Sequence, residues 1–156
     1  METAKSNTAR RVQTLLGSEY HVVEFEHSTR SAADAAEAIG CEVTQIAKSL
    51  IFKQADESPV LIIVCGDNRV DEQKAAAVVG HTLHRADANF VKLNSGFSIG
   101  GVAPIGHRVP PIVILDHNLK KLDIIWAAAG THNSVFCLSP EQLVDLTHGT
   151  FEDIAE

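Results

Sequence analysis

Aromatic residues are scarce in this chain, which has one Trp, one Tyr and six Phe among 156 residues. That leaves too few rings for the stacking platforms on which proteins hold long single-stranded nucleic acid. Positive charge is short as well: 13 Lys and Arg against 20 Asp and Glu give a formal net charge of −7. Broad binding to a phosphate backbone is therefore disfavoured, and what remains open is contact with about one or two nucleotides at a strand end. Cysteine is limited to Cys41, Cys65 and Cys137, odd in number, far apart and without C-x-x-C. Reduced thiols, buried as small apolar residues, are expected. The longest unbroken apolar run, Val60 to Cys65, has the length of a strand and cannot cross a bilayer. The opening Met-Glu-Thr-Ala-Lys-Ser has neither the basic nor the apolar region of a secretory leader. A cytoplasmic protein without membrane association is the expectation.

Catalytic and cofactor signatures are missing too. No G-x-G-x-x-G occurs, which speaks against a dinucleotide cofactor, and no G-x-S-x-G elbow marks a serine nucleophile. The eight histidines are scattered, with no H-E-x-x-H and no paired ligand spacing, so no metal site is expected. Gly101 and Gly106 have the spacing of a nucleotide phosphate loop. His107-Arg108, however, stands where Lys-Ser/Thr is required, and Pro104 removes one cradling N–H.

What is present suits one globular domain over residues 1–156: 45% hydrophobic and 21% charged residues are enough to build a core without staples. Residues 4–16 read as a surface helix stopped by Gly17, and 21–25 as a short strand. Ser31 with Asp34 approximates a capping box for an Ala-rich helix closed by Gly40. Residues 47–53 and 60–65, joined by a polar linker ending in Pro59, predict an antiparallel hairpin. Alternation then puts Lys48 on one face with Leu50 and Phe52. A helix over 71–79, a strand over 81–84 and a helical turn over 87–93 follow. Strands are expected at 111–115 and 122–127, joined by the polar turn 116–121, and at 134–138. Ser139-Pro140-Glu141-Gln142 is a helix start, and 151–155 a small edge strand or turn. Helices and strands mix without steady βαβ alternation, so the expected class is α+β, with a curved, largely antiparallel or mixed, barrel-like sheet and surrounding helices.

The stretch Ser95 to His107 holds four glycines, Gly96, Gly100, Gly101 and Gly106, together with Pro104. It can be neither a regular helix nor a central strand. Such a loop either turns between elements or lets backbone N–H groups approach an anion or a polarised carbonyl. His107, next to Gly106, reads as a cap of this loop. Lys48, on an apolar strand face, must either snorkel to the surface or sit in a polar cavity and meet an anion or a carbonyl oxygen. His132-Asn133 follows the small residues Ala127 to Gly130 in a tight turn, open to solvent or projecting into a cleft. If the protein is a hydrolase, water is the expected attacking group, with backbone donors on the oxyanion.

Gly-Phe-Ser-Ile-Gly-Gly-Val-Ala-Pro-Ile-Gly-His, with Ala47-Lys48-Ser49-Leu50 before it and Ala128-Ala129-Gly130-Thr131-His132-Asn133 after it, closely resembles the YbaK/prolyl-tRNA synthetase-associated family. These are freestanding relatives of the editing domain inserted in bacterial prolyl-tRNA synthetase, and the similarity runs from about Thr8 to the final Phe-Glu-Asp-Ile-Ala. The resemblance implies a deacylase acting in trans on the ester of a small mischarged amino acid (Ala, Cys, Ser, Thr or an analogue) at the 3′ end of a tRNA, tRNA(Pro) by family default. It implies no cofactor, and prolyl-tRNA synthetase or an elongation factor as transient partners. The family lysine falls on Lys48 and its G-x-x-x-P loop on Gly100 to Pro104. Gly100 and Gly101 are thereby expected at the catalytic centre, with Ser98, Ile99, Val102, Ala103 and Pro104 lining the substrate. His132 and Asn133 match the pocket turn, and Phe25 and Thr29 a neighbouring pocket-lining segment. The alternative is a noncatalytic module using the same pocket to recognise tRNA ends or a synthetase, and a further one a nucleotide-binding protein built on residues 96–106.

Overall fold

In the computed structural model, which describes residues 2–156, five helices and nine strands alternate irregularly. Met1, where the leader reading begins, lies outside the described residues. In chain order the elements are β1 (Glu2–Thr3), α1 (Asn7–Leu16), β2 (Val23–Glu24), α2 (Ala32–Ile39), β3 (Ile46–Lys53) and β4 (Pro59–Cys65). There follow α3 (Glu72–Val79), β5 (His84–Arg85), α4 (Ala88–Ser95), β6 (Ile112–Asp116), β7 (Ile125–Ala128), β8 (Ser134–Leu138), α5 (Pro140–Thr147) and β9 (Thr150–Glu152). The helices start where short polar side chains cap them. Ser6, Ser31, Asp71, Asp87 and Ser139 each accept a bond from a backbone N–H in the first turn. The Ser6 cap explains why α1 begins at Asn7 rather than at residue 4.

The α+β class holds, and the sheet is mixed. Strand order is β1-β2-β8-β7-β3-β4-β6-β9, with β5 attached separately to β3. The predicted hairpin forms, pairing β3 and β4 from Ala47↔Cys65 to Lys53↔Pro59. Three pairings are parallel: β3 with β7, β4 with β6, and β6 with β9. The polar stretch after β6 does not fold that strand back onto β7. Residues 117–121 form a 3-10 turn capped by Asp116, and two other strands, β3 and β4, separate β6 from β7. Nor does the sheet close into a barrel. Its terminal strands, β1 and β9, are two and three residues long and pair on one side only.

All seven residues of β4 are buried, because layers pack on both faces of the sheet. On one face Ile51, Leu61, Ile63 and Cys65 join Val12 and Leu16 of α1, Phe97 and Phe136 in the main core. On the other, Phe52, Val60, Ile62 and Val64 pack with Ala75 of α3, Leu83 and Ile154, and Leu50 leans on them. Lys48, opposite Val64, shares that second face with Leu50 and Phe52. No helix among the described residues is long and apolar enough to cross a membrane.

Candidate functional site

A break in the sheet creates the site. Along its second edge β3 pairs with β7 only at Ile46 and Ala47, and with β5 only at Phe52 and Lys53. Residues 48–51 have no strand beside them there. At the hairpin mouth the Gln54 N–H donates to Ser58 O at 3.0 Å. Counting back in twos, the backbone groups of Ser49 and Ile51 point away from β4, into the gap. A cleft of about 870 Å³ occupies that gap, lined by residues 46–52 of β3. Ala32 and Ala35 of α2, Val91 of α4, Ile99, Gly100 and Val102 of the glycine loop, and Thr131 and His132 close its other walls.

Lys48 is half-buried on this wall, and its Nζ donates to the backbone O of Asn68 at 2.9 Å. Burial, and then the Arg69 guanidinium, hold its ammonium below the usual lysine range, while Asp67 opposes the shift. Gly100, exposed, adopts φ +90°, a conformation glycine reaches without strain. A Cβ there would sit 3.5 Å from His132 Nε2, so loop and histidine are direct neighbours across the cleft. The His132 carbonyl is fixed by two bonds from Thr29, from its N–H and its Oγ1, both 2.9 Å. The hydroxyls of Thr131 and Ser134 lie 2.5 Å apart and bond to each other rather than to a histidine.

Of the residues singled out in the sequence, Lys48, Thr29, Ile99, Gly100, Val102 and His132 meet at this cleft. The others lie behind or beside it. Gly101 is buried, its N–H donates to Ser98 O at 2.9 Å, and a Cβ on it would come within 3.0 Å of the Thr131 backbone. Within the loop, Ala103 and Pro104 are buried and Ser98 is exposed, and none of the three lines the cleft. Asn133 braces the neighbouring segment: its Nδ2 donates to Phe25 O at 2.9 Å and its carbonyl accepts from the Phe25 N–H at 2.7 Å. Phe25 itself lines a separate shallow depression with His27, Asp34 and Glu37.

Three cleft residues, Arg30, Arg69 and Arg85, were not legible as site residues. They come from a loop, the turn after β4 and β5, and only the tertiary fold gathers them around Lys48. Arg85 is held by Glu72 at 3.6 Å, and Glu72 and Glu156 are the two carboxylates of the lining. In an acidic protein, the cleft is thus a local concentration of cations over apolar walls. It suits a ligand with a phosphate and a small uncharged or apolar group.

Comparison with known proteins points the same way. The model of the aminoacyl-tRNA editing domain matches residues 26–146. The protein YwhH of Bacillus subtilis (strain 168), itself uncharacterized, is 36% identical, with 83% of this chain and 82% of that one covered. EbsC of Enterococcus faecalis (strain ATCC 700802 / V583), named "Putative Cys-tRNA(Pro)/Cys-tRNA(Cys) deacylase", is 28% identical over 97% of both chains. Among solved structures, one described as "a putative trans-editing enzyme for prolyl tRNA synthetase" superimposes with a TM-score of 0.93. It is 41% identical, covering 98% of this chain and 99% of that one.

Proposed function

The chain belongs to the aminoacyl-tRNA editing domain family, and from that premise we propose that it is a deacylase acting in trans. Its substrate is the ester joining a small mischarged amino acid (Ala, Cys, Ser, Thr or an analogue) to the 3′ adenosine of a tRNA, tRNA(Pro) in the first instance. The observation that carries this reading is the meeting of Lys48, Gly100 and His132 at one cleft, with cations beside an apolar wall. The kinship with proteins named for Cys-tRNA(Pro) deacylation and prolyl-tRNA synthetase editing supports the choice of tRNA.

In this reading the Lys48 ammonium takes the terminal phosphate or the ester oxygen, and the exposed Gly100 offers its N–H to the ester carbonyl. Gly101 cannot take that donor role while its own N–H serves Ser98. Water adds to the carbonyl carbon, the acyl C–O bond breaks, and the proton passes to the ribose oxygen, releasing amino acid and tRNA. An aminoacyl ester is already activated, so positioning with an oxyanion donor worth roughly 3 to 4 kcal/mol serves in place of a nucleophilic triad. The alanines of α2 at the cleft wall, Ala32 and Ala35, suit a small side chain. Editing by a second enzyme answers a physical limit, since one methylene yields a synthetase only about 1 to 3 kcal/mol of discrimination.

Single-turnover hydrolysis of a panel of mischarged tRNA(Pro) species, with Pro-tRNA(Pro) as control, tests the reading. Wild-type protein is expected to deacylate at least one small aminoacyl-tRNA and to spare Pro-tRNA(Pro), and Lys48→Ala to lose that activity while keeping its melting temperature. Binding of the tRNA without turnover would favour the noncatalytic recognition module instead.

A further inference from the structure

Asp116, at the end of β6, is fully buried. Its carboxylate accepts three bonds, all from neutral donors: the Cys65 N–H (3.2 Å), the Asn68 side-chain amide (2.7 Å) and the Asn118 N–H (3.0 Å). Among the described residues no basic side chain pairs with it. A buried carboxylate without a counter-charge is costly, and an apolar residue would pack there more cheaply. Two of the three bonds grip the two ends of one turn, residues 65–68, which leaves β4. The turn closes on itself through the Asn68 N–H and Cys65 O, 2.9 Å apart.

The same turn is seated from below and from outside. A Cβ on Gly66 would collide with the Val43 carbonyl, so the turn lies directly on that backbone. Just beyond it, Arg69 O accepts the Glu156 N–H at 3.0 Å and Val70 bridges to Ala155. One group on this fixed turn faces the cleft chemistry: the Asn68 carbonyl, to which Lys48 Nζ donates. A lysine is a flexible stem with a strongly hydrated charge, and without a fixed acceptor its ammonium samples many rotamers.

Building on the deacylase reading, we propose that Asp116 and Asn68 are positioning residues for Lys48, a buried clamp that holds the Asn68 carbonyl where it fixes the ammonium over the cleft. Neither residue touches substrate. Asp116 orients the turn, Asn68 transmits that orientation through its side chain and presents its carbonyl, and Lys48 meets the ligand. The turn carries Asp67 and leads directly into Arg69, the two charges that act on Lys48.

Two variants and two measurements test the clamp. Asp116→Asn keeps the shape of the buried group. Asn68→Ala, at a half-buried position, carries the test if the buried substitution fails to fold. The first measurement needs no substrate: the lysines are reductively methylated with ¹³C, and the Lys48 signal is identified by its loss in Lys48→Arg. Loosening the clamp is expected to move the Lys48 resonance toward those of exposed lysines while the others, from Lys5 to Lys121, stay in place. The second is the single-turnover rate on the aminoacyl-tRNA that wild type hydrolyses, expected to fall about ten- to hundredfold, as a displacement of about 1 Å does elsewhere. The melting temperature of Asn68→Ala is expected to fall by several degrees, since the buried Asp116 carboxylate loses its shortest hydrogen bond, while the unmoved signals of the other lysines report a retained fold. A Lys48 signal and a rate both unchanged in Asn68→Ala overturn the proposal, as does a uniform shift of all the lysine signals. A Lys48 signal that responds in a protein hydrolysing no member of the panel upholds the clamp and overturns the deacylase reading.

Discussion

His107 shows how one side chain ties the glycine loop to pH. Its Nε2 lies 2.7 Å from Ala103 O, within the loop's own backbone, and its ring packs edge-on against Phe97. That geometry suits the neutral ring with its proton on Nε2, donating to the carbonyl. Burial pushes its pKa below the ordinary 6.5, the hydrogen bond to Ala103 opposes this, and Arg11 adds to the lowering. The folded protein therefore prefers the neutral ring and the unfolded chain takes up the proton first. His107 contributes stability that is complete above the ordinary value and is lost as pH falls through the lower, folded one. Melting temperatures measured from about pH 7.5 to about pH 5 should fall less steeply for His107→Gln than for wild type. Parallel curves would assign the acid-side loss to other groups. Cys65 illustrates the opposite sign. Burial first, then Asp116 and Asp67, push its thiol up to about 12, so it meets the expectation of a buried small apolar residue, which the exposed Cys137 does not.

At the scale of elements, the cleft depends on how α2 is started and held. The Ser31 side chain accepts from the Asp34 N–H at 3.1 Å, and Gly40 ends the helix in the left-handed region. Ser31→Ala should cost about 1 kcal/mol of stability, read as a lower urea midpoint with an unchanged m-value. Because Ala32 and Ala35 wall the cleft, the protection of α2 amides from hydrogen exchange should fall before that of β4. Capped helices of this kind were legible in the sequence, since a cap is a local device: the polar residue and the N–H it satisfies are three positions apart. The hairpin of β3 and β4, with the face of Lys48, was legible for a similar reason, as alternation and a short polar linker determine both. The parallel pairings were not, because β3 with β7 and β4 with β6 join segments whose contact no local pattern records. Strand β1 was not foreseen, whereas β2, β5 and β9 lie in or overlap the expected segments 21–25, 81–84 and 151–155; with two or three residues each, they are too short for a period to set their bounds. The same limit governs the site. Lys48 and the glycine loop stood out as odd residues in their local contexts, whereas Arg30, Arg69 and Arg85 look like ordinary surface charges until the fold gathers them.

For the whole molecule, a net charge of −7 and a cleft holding Arg30, Lys48, Arg69 and Arg85 pull an incoming tRNA in opposite directions. On the deacylase reading, the acidic body repels the duplex stem and the attraction is confined to what reaches the cleft, a single-stranded 3′ end with few phosphates. Counterion release from a single strand gives a slope of about −0.7 in log affinity against log salt for each phosphate neutralised. With about two phosphates engaged, a tenfold rise in salt should weaken tRNA binding about 25-fold. A protein that grips the acceptor stem along its length would show a far steeper dependence. Arg69→Ala, which removes a cleft cation exposed beside Lys48, should reduce the slope by about one phosphate's worth. The salt dependence of apparent affinity for uncharged tRNA(Pro), measured by fluorescence anisotropy for both proteins, checks this. A steep slope unaffected by Arg69→Ala would move the nucleic-acid contact off the cleft and onto another face of the molecule.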